Sequence, residues 1–183
     1  MKLEYIVTNS DNNKIVKDIL LSYFQISHRL LITLKKENCI FLNNSPTFIY
    51  QKIKAGDKIS TSFDYEEDNS NIVPKEMPLS IIYEDDWYLV VNKPAGIPVH
   101  PSILHYEDSL SSGVKFYFDS INLKKKIRPV NRIDKDTSGL VIFAKNEYIQ
   151  EAMIRQMKSG DFVKEYIAIV EGTFFDNEKK RNY

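Results

Sequence analysis

Arg128-Pro129-Val130-Asn131-Arg132-Ile133-Asp134-Lys135-Asp136-Thr137-Ser138-Gly139-Leu140-Val141-Ile142-Phe143-Ala144-Lys145 carries most of what this chain discloses. It sets a carboxylate, Asp134, between two cations, Arg132 and Lys135, ahead of a tight polar turn and an apolar, strand-like run. Nearby positive charge favours the ionised carboxylate, and an ionised carboxylate on a rigid turn can act as nucleophile or general base. Asp136 completes an Asp-x-Asp pair, but no third metal ligand accompanies it. A turn-stabilising or N-capping role suits it better.

Around this stretch the chain alternates strand-like and helical signals. Upstream, Leu79 to Tyr83 and Trp87 to Val91 read as apolar strands joined by an acidic turn. Then come Asn92-Lys93-Pro94-Ala95-Gly96-Ile97-Pro98-Val99-His100-Pro101-Ser102, where prolines hold a loop in one shape at low entropic cost. A helix is expected from Ser109 to Phe118, and another after an Asn146 N-cap, ending at Ser159-Gly160. The Ile149, Ala152, Met153 and Met157 stripe of the latter reads as core. A final strand is expected from Phe162 to Val170.

The first 63 residues read as a small module. Ile15, Ile19, Leu20, Tyr23 and Phe24 recur at helical spacing, and Ser27 is placed to cap a second helix through Lys36. Leu30, Leu31 and Leu34 would face inward, leaving His28, Arg29, Lys35 and Lys36 towards solvent. Short strands are expected at Ile40 to Leu42, Phe48 to Ile53 and Lys58 to Phe63. Residues 64–78 read as an acidic linker interrupted by Pro74 and Pro78, a solvated spacer.

Composition bounds the answer. At 183 residues, 43% hydrophobic and 27% charged, the chain suits a globular domain, or a small domain plus part of a larger one. No apolar run approaches the ~20 residues that span a bilayer, and Met1 to Val7 turns polar too quickly for a signal peptide. Cys39 is the only cysteine, which excludes a disulfide framework and a thiolate metal site; a small buried hydrophobe is the expectation. The expected compartment is the cytosol. Net charge is zero, yet it is segregated: residues 1–60 carry nine Lys/Arg against five Asp/Glu, and residues 61–89 one against eight. The N-terminal balance is a mild nucleic-acid signal. The run Lys124-Lys125-Lys126-Ile127-Arg128 suits either phosphate contacts or an exposed, solubilising loop.

The Arg128–Lys145 stretch resembles the catalytic signature of the RluA-type RNA pseudouridine synthases, whose pattern is roughly His/Asn-Arg-Leu-Asp-x-x-Thr-Ser-Gly-Leu followed by an apolar strand ending in Ala-Lys. Tyr83 to Ser102 is similar to the family's Tyr-Glu-Asp-x-x-x-x-Val-x-Asn-Lys-Pro-x-Gly-x-x-x-His-Pro run. Lys164-Glu165-Tyr166-Ile167-Ala168-Ile169-Val170-Glu171-Gly172 resembles its Lys-x-Tyr-x-Ala-x-Val-x-Gly motif. The N-terminal module, ending in Gly-Asp-x-Ile, resembles the RNA-binding domain named after ribosomal small-subunit protein S-four.

The resemblance implies isomerisation of uridine to pseudouridine in structured ribosomal or transfer RNA, in the cytoplasm, without cofactor, metal or membrane. It implies an α+β chain: a small helical RNA-binding module at 1–63, the linker at 64–78, and at 79–183 the N-terminal part of a mainly antiparallel, mixed-sheet catalytic domain. Asp134 is then the catalytic aspartate, Arg132 holds the site and the flipped-out nucleotide, and Tyr166 packs against the uracil. Asn131, Thr137, Ser138, Lys93 and His100 would contact substrate, and Arg29 and Lys35 would bind RNA. Family members carry a further Gly-Arg-x-His-Gln-x-Arg-like run that this sequence does not contain. A second reading is therefore a truncated, inactive RNA-binding relative, and an exposed sheet edge would leave the chain prone to associate. A glycosidase would want two carboxylates roughly 5 to 9.5 Å apart, and only Asp134 has a convincing setting.

Overall fold

The computed structural model describes residues 1–101 and 108–172. The N-terminal part holds β1 (Lys2–Ile6), α1 (Val16–Ser22), α2 (His28–Lys36), β2 (Ile40–Leu42), β3 (Ser45–Pro46) and β4 (Lys58–Ser62). Its strands form one antiparallel sheet in the order β1-β4-β2-β3. Ser27 caps α2 by accepting the Leu30 N–H at 3.1 Å. Leu30, Leu31 and Leu34 are buried with Ile19, Leu20, Ile40, Ile59 and Phe63 in one core. The module is thus more than helical: β1 pairs with β4 along its whole length, a strand missing from the expected layout. Phe48 to Ile53 does not form the expected strand. Ile49 and Ile53 point inward, Phe48 and Tyr50 outward, and only Lys52 makes an isolated bridge, to Ile15.

The second part holds β5 (Ser80–Glu84), β6 (Tyr88–Lys93), α3 (Leu110–Ser120), β7 (Arg128–Pro129), β8 (Gly139–Ala144) and α4 (Glu147–Ser159). Its antiparallel sheet runs β5-β6-β8-β7. Alternation along β6 and β8 sends Leu89, Val91, Val141 and Phe143 to one face, where Leu110, Val114 and Phe118 of α3 cover them. Ser109 caps α3 and Asn146 caps α4; Gly160 ends α4 at φ +86°, a conformation that suits glycine. The apolar stripe of α4 is only half-buried, and no α4 residue is fully buried. Residues 161–172 contain no helix or strand, so the expected final strand is not formed. Its alternating apolar residues need a neighbouring strand and a core face, and they meet neither among the described residues: Val163, Ile167, Ile169 and Val170 are exposed.

Residues 64–78 also lack helix and strand, yet they are packed rather than a solvated spacer. Tyr65 and Ile72 are buried, and Met77 lies against Gly113. The Glu67 carboxylate takes a two-pronged contact from the Arg128 guanidinium at 2.7 and 2.5 Å, both side chains nearly enclosed. Lys125 is buried too. Its Nζ donates to the Phe63 carbonyl at 2.5 Å and to that of Tyr65, and it sits 4.4 Å from the centre of the Tyr65 ring. Lys124 pairs with Glu66 at 3.0 Å. The basic run is therefore neither a free phosphate-binding patch nor a loose loop. Two of its four cations, Lys124 and Arg128, pair with Glu66 and Glu67 of the acidic stretch, and Lys125 is held by backbone carbonyls at the start of that stretch.

Candidate active site

The site lies where β6 ends and β8 begins. Register pairs Lys93 with Gly139, so the proline loop after β6 and the signature loop before β8 emerge side by side. Between them opens a cavity of about 760 Å³, lined by Pro98, Val99, His100 and Pro101 from the first loop and by residues 129–135 from the second. Met157 of α4 and Lys164 complete the lining. Asp134 is exposed to this cavity, and its backbone carbonyl accepts the Thr137 N–H at 3.2 Å, closing the turn.

Lys93 occupies the inward face of β6 in sequence with Leu89 and Val91, and it is fully buried. A buried ammonium is costly unless every proton has an acceptor. Here three carbonyls at 2.8 Å take them, those of Pro94, Ile97 and Lys135. Burial lowers the Lys93 pKa, against the opposing pull of the Asp136 and Asp134 carboxylates. All three ammonium protons are thus taken by carbonyls of the chain itself, and the side chain ties the two loops together.

Asn131 is likewise engaged by the fold. Its amide donates to the Leu140 carbonyl at 3.0 Å and accepts the Ile142 N–H at 2.9 Å, extending the β7–β8 pairing by side chain. It still lines the cavity. His100 stands at the cavity wall, its pKa lowered by partial burial and then by the nearby Arg132 cation. Arg132 lines the cavity and is exposed, but no ion pair joins it to Asp134 among the described residues.

The remaining expected residues lie apart from the cavity. Thr137 and Ser138 form the turn behind Asp134 without lining it. Tyr166 is 61% exposed and does not line it either. Arg29 pairs with Glu147 of α4 at 3.2 Å, and Lys35 borders a separate groove of the N-terminal part. Conversely, Val99, Met157 and Lys164 were not expected at the site from sequence, Met157 having been read as core. Only Lys164 carried a signal, as the first residue of the Lys-x-Tyr motif.

With this geometry in place, comparison with known proteins assigns the class. A family model described as RNA pseudouridylate synthase matches residues 87–183. The chain belongs to that family. It is 38% identical over 159 residues to ribosomal large subunit pseudouridine synthase D of Borreliella burgdorferi, covering 82% of this chain and 47% of that protein. The protein of the same name from Blochmanniella floridana is 36% identical over 157 residues, covering 84% and 48%. "Uncharacterized RNA pseudouridine synthase YlyB" of Bacillus subtilis is 34% identical over 140 residues, covering 75% and 46%. The chain spans about half the length of these curated relatives. Among solved structures, human RNA Pseudouridylate Synthase Domain Containing 1 overlaps 45% of this chain and 28% of its own, at 24% identity and a TM-score of 0.37.

Proposed function

We propose that this chain supplies the catalytic aspartate and RNA-binding face of a synthase that converts uridine to pseudouridine in large-subunit ribosomal RNA. The observation that carries this reading is Asp134, set at an open cavity inside the stretch matched by the family model. The ribosomal target is taken from the names of the relatives.

The reaction breaks the bond between uracil N1 and the sugar, turns the base, and joins its C5 to the same carbon. The C5 proton leaves and N1 gains one, so atoms balance without an outside reagent. The Asp134 carboxylate either adds to the anomeric carbon or takes a neighbouring proton. A base within folded RNA must first be extruded. Arg132 and Lys164 at the cavity wall suit the phosphates of the displaced nucleotide, and His100, kept largely neutral, can hydrogen-bond the uracil edge. Residues 1–63 act as the RNA-binding module, with Arg29 and Lys35 on α2, joined through 64–78 to the catalytic part at 79–183.

A binding-only role is favoured by one observation, the position of Tyr166 outside the cavity. Incubation of a large-subunit ribosomal RNA transcript with the chain, then nucleoside chromatography, separates the two. A new pseudouridine peak supports turnover; RNA retained on the protein without that peak supports binding alone.

A further inference from the structure

Away from the cavity, the turn Phe48–Gln51 presents two aromatic rings to solvent: Phe48 is 85% exposed and Tyr50 68%. Single exposed apolar residues are ordinary, but this pair is held by rigid backbone. The Gln51 N–H donates to the Phe48 carbonyl at 3.0 Å, the Lys17 N–H to the Ile49 carbonyl at 2.8 Å, and the Val16 N–H to the Gln51 carbonyl at 3.0 Å. Ile49 is buried between the two rings in sequence, which forces both outward. They border a groove of about 300 Å³ whose floor includes Leu34, Ile40 and Ile49 and whose rim includes Lys35, Asn38 and Thr47. The Lys17 ammonium lies 5.9 Å from the centre of the Tyr50 ring, and Lys52 and Lys54 follow on the exposed side. Fixed rings beside cations, on a module with excess positive charge, match the requirements of an unpaired nucleotide: a stacking face for the base and a counter-charge for its phosphate.

We propose that Phe48 and Tyr50 form a stacking site for unpaired bases of RNA, with Lys17 and Lys35 facing the adjoining phosphates. This rests on the reading of residues 1–63 as an RNA-binding module, and it adds a preference for single-stranded segments over duplex. Stacking on an aromatic ring is worth between about fivefold and a hundredfold in affinity per base.

The test uses the full chain with two probes: a hairpin RNA carrying 2-aminopurine in its unpaired loop, and a blunt RNA duplex of equal length. The parent chain is expected to quench the loop fluorophore. The double variant Phe48→Leu/Tyr50→Leu, on exposed positions that leave the melting temperature unchanged, should lose the quench and weaken hairpin binding at least about tenfold. Its duplex affinity and salt dependence should stay as in the parent, and Tyr50→Phe should bind normally. A second double variant, Arg29→Gln/Lys35→Gln, should flatten the salt dependence. If only this second variant affects binding, stacking is overturned and the module's role stands. Equal loss on hairpin and duplex also overturns stacking. If neither variant changes RNA binding, both readings fall.

Discussion

The Nζ of Lys93 lies 2.8 Å from the carbonyl oxygen of Lys135, forty-two residues away, and the same oxygen accepts the Gly96 N–H at 2.9 Å. Gly96 makes this approach at φ +91°, where a side chain would be strained. Lys135 follows Asp134 directly, so the proline loop and the aspartate turn are held by one carbonyl. Replacing the ammonium with an apolar chain leaves the Pro94 and Ile97 carbonyls without this donor. Lys93→Met is expected to lower stability by about 2 kcal/mol in a urea melt, and to reduce any Asp134-dependent activity beyond that loss of folded protein.

The Glu67–Arg128 pair makes a separate prediction. Removing one partner of a nearly enclosed ion pair strands the other charge, at a cost of about 3 to 5 kcal/mol. Glu67→Gln and Arg128→Met should each destabilise the chain on that scale. Glu67→Leu combined with Arg128→Met should recover much of the loss, because no buried charge remains. A double-mutant cycle by chemical denaturation measures the coupling.

How far the sequence disclosed these features depends on the range of the interaction concerned. Ser27, Ser109 and Asn146 cap helices through contacts three residues away; Ser27 and Asn146 were legible as caps, while Ser109 read as the first residue of its helix. The apolar runs of β6 and β8 were legible for the same reason. The link between Glu67 and Arg128 spans 61 residues, and each end taken alone looks like solvated charge. Lys93, between Asn92 and Pro94, looks like a ligand-binding cation; only the β6 register turns it inward. The family signature drew attention to Asp134, and residues 129–135 around it do line one cavity. It did not disclose that Asn131 is occupied by β8, nor that Tyr166 stands clear of the cavity.

Asp11 gives the clearest pH dependence. Its carboxylate accepts from Lys14 Nζ at 2.8 Å, from the Thr8 hydroxyl at 2.7 Å and N–H at 3.0 Å, and from the Tyr5 hydroxyl at 2.7 Å. These contacts, that of Lys14 first, hold its pKa well below the usual carboxylate range. A carboxyl group whose folded pKa is depressed adds stability above its unfolded value, about 3.9, and loses it as pH falls towards the folded value. Thermal melts should therefore show stability declining below about pH 4. Asp11→Asn should be less stable at neutral pH and show a shallower acid decline.

The exposed apolar residues of the 163–170 segment favour self-association. Sedimentation of the chain is expected to show concentration-dependent association. Ile167→Glu/Ile169→Glu should shift it towards monomer without changing the melting temperature, since neither side chain is buried. An identical sedimentation profile for the variant would count against this.

Asp134 is the residue on which the functional account turns. RNA labelled with tritium at C5 of uridine releases the label to water only if C5 forms the new bond to the sugar. The account predicts release by the chain and none by Asp134→Asn, with equal RNA retention by both. Equal release by the variant would contradict the role given to Asp134.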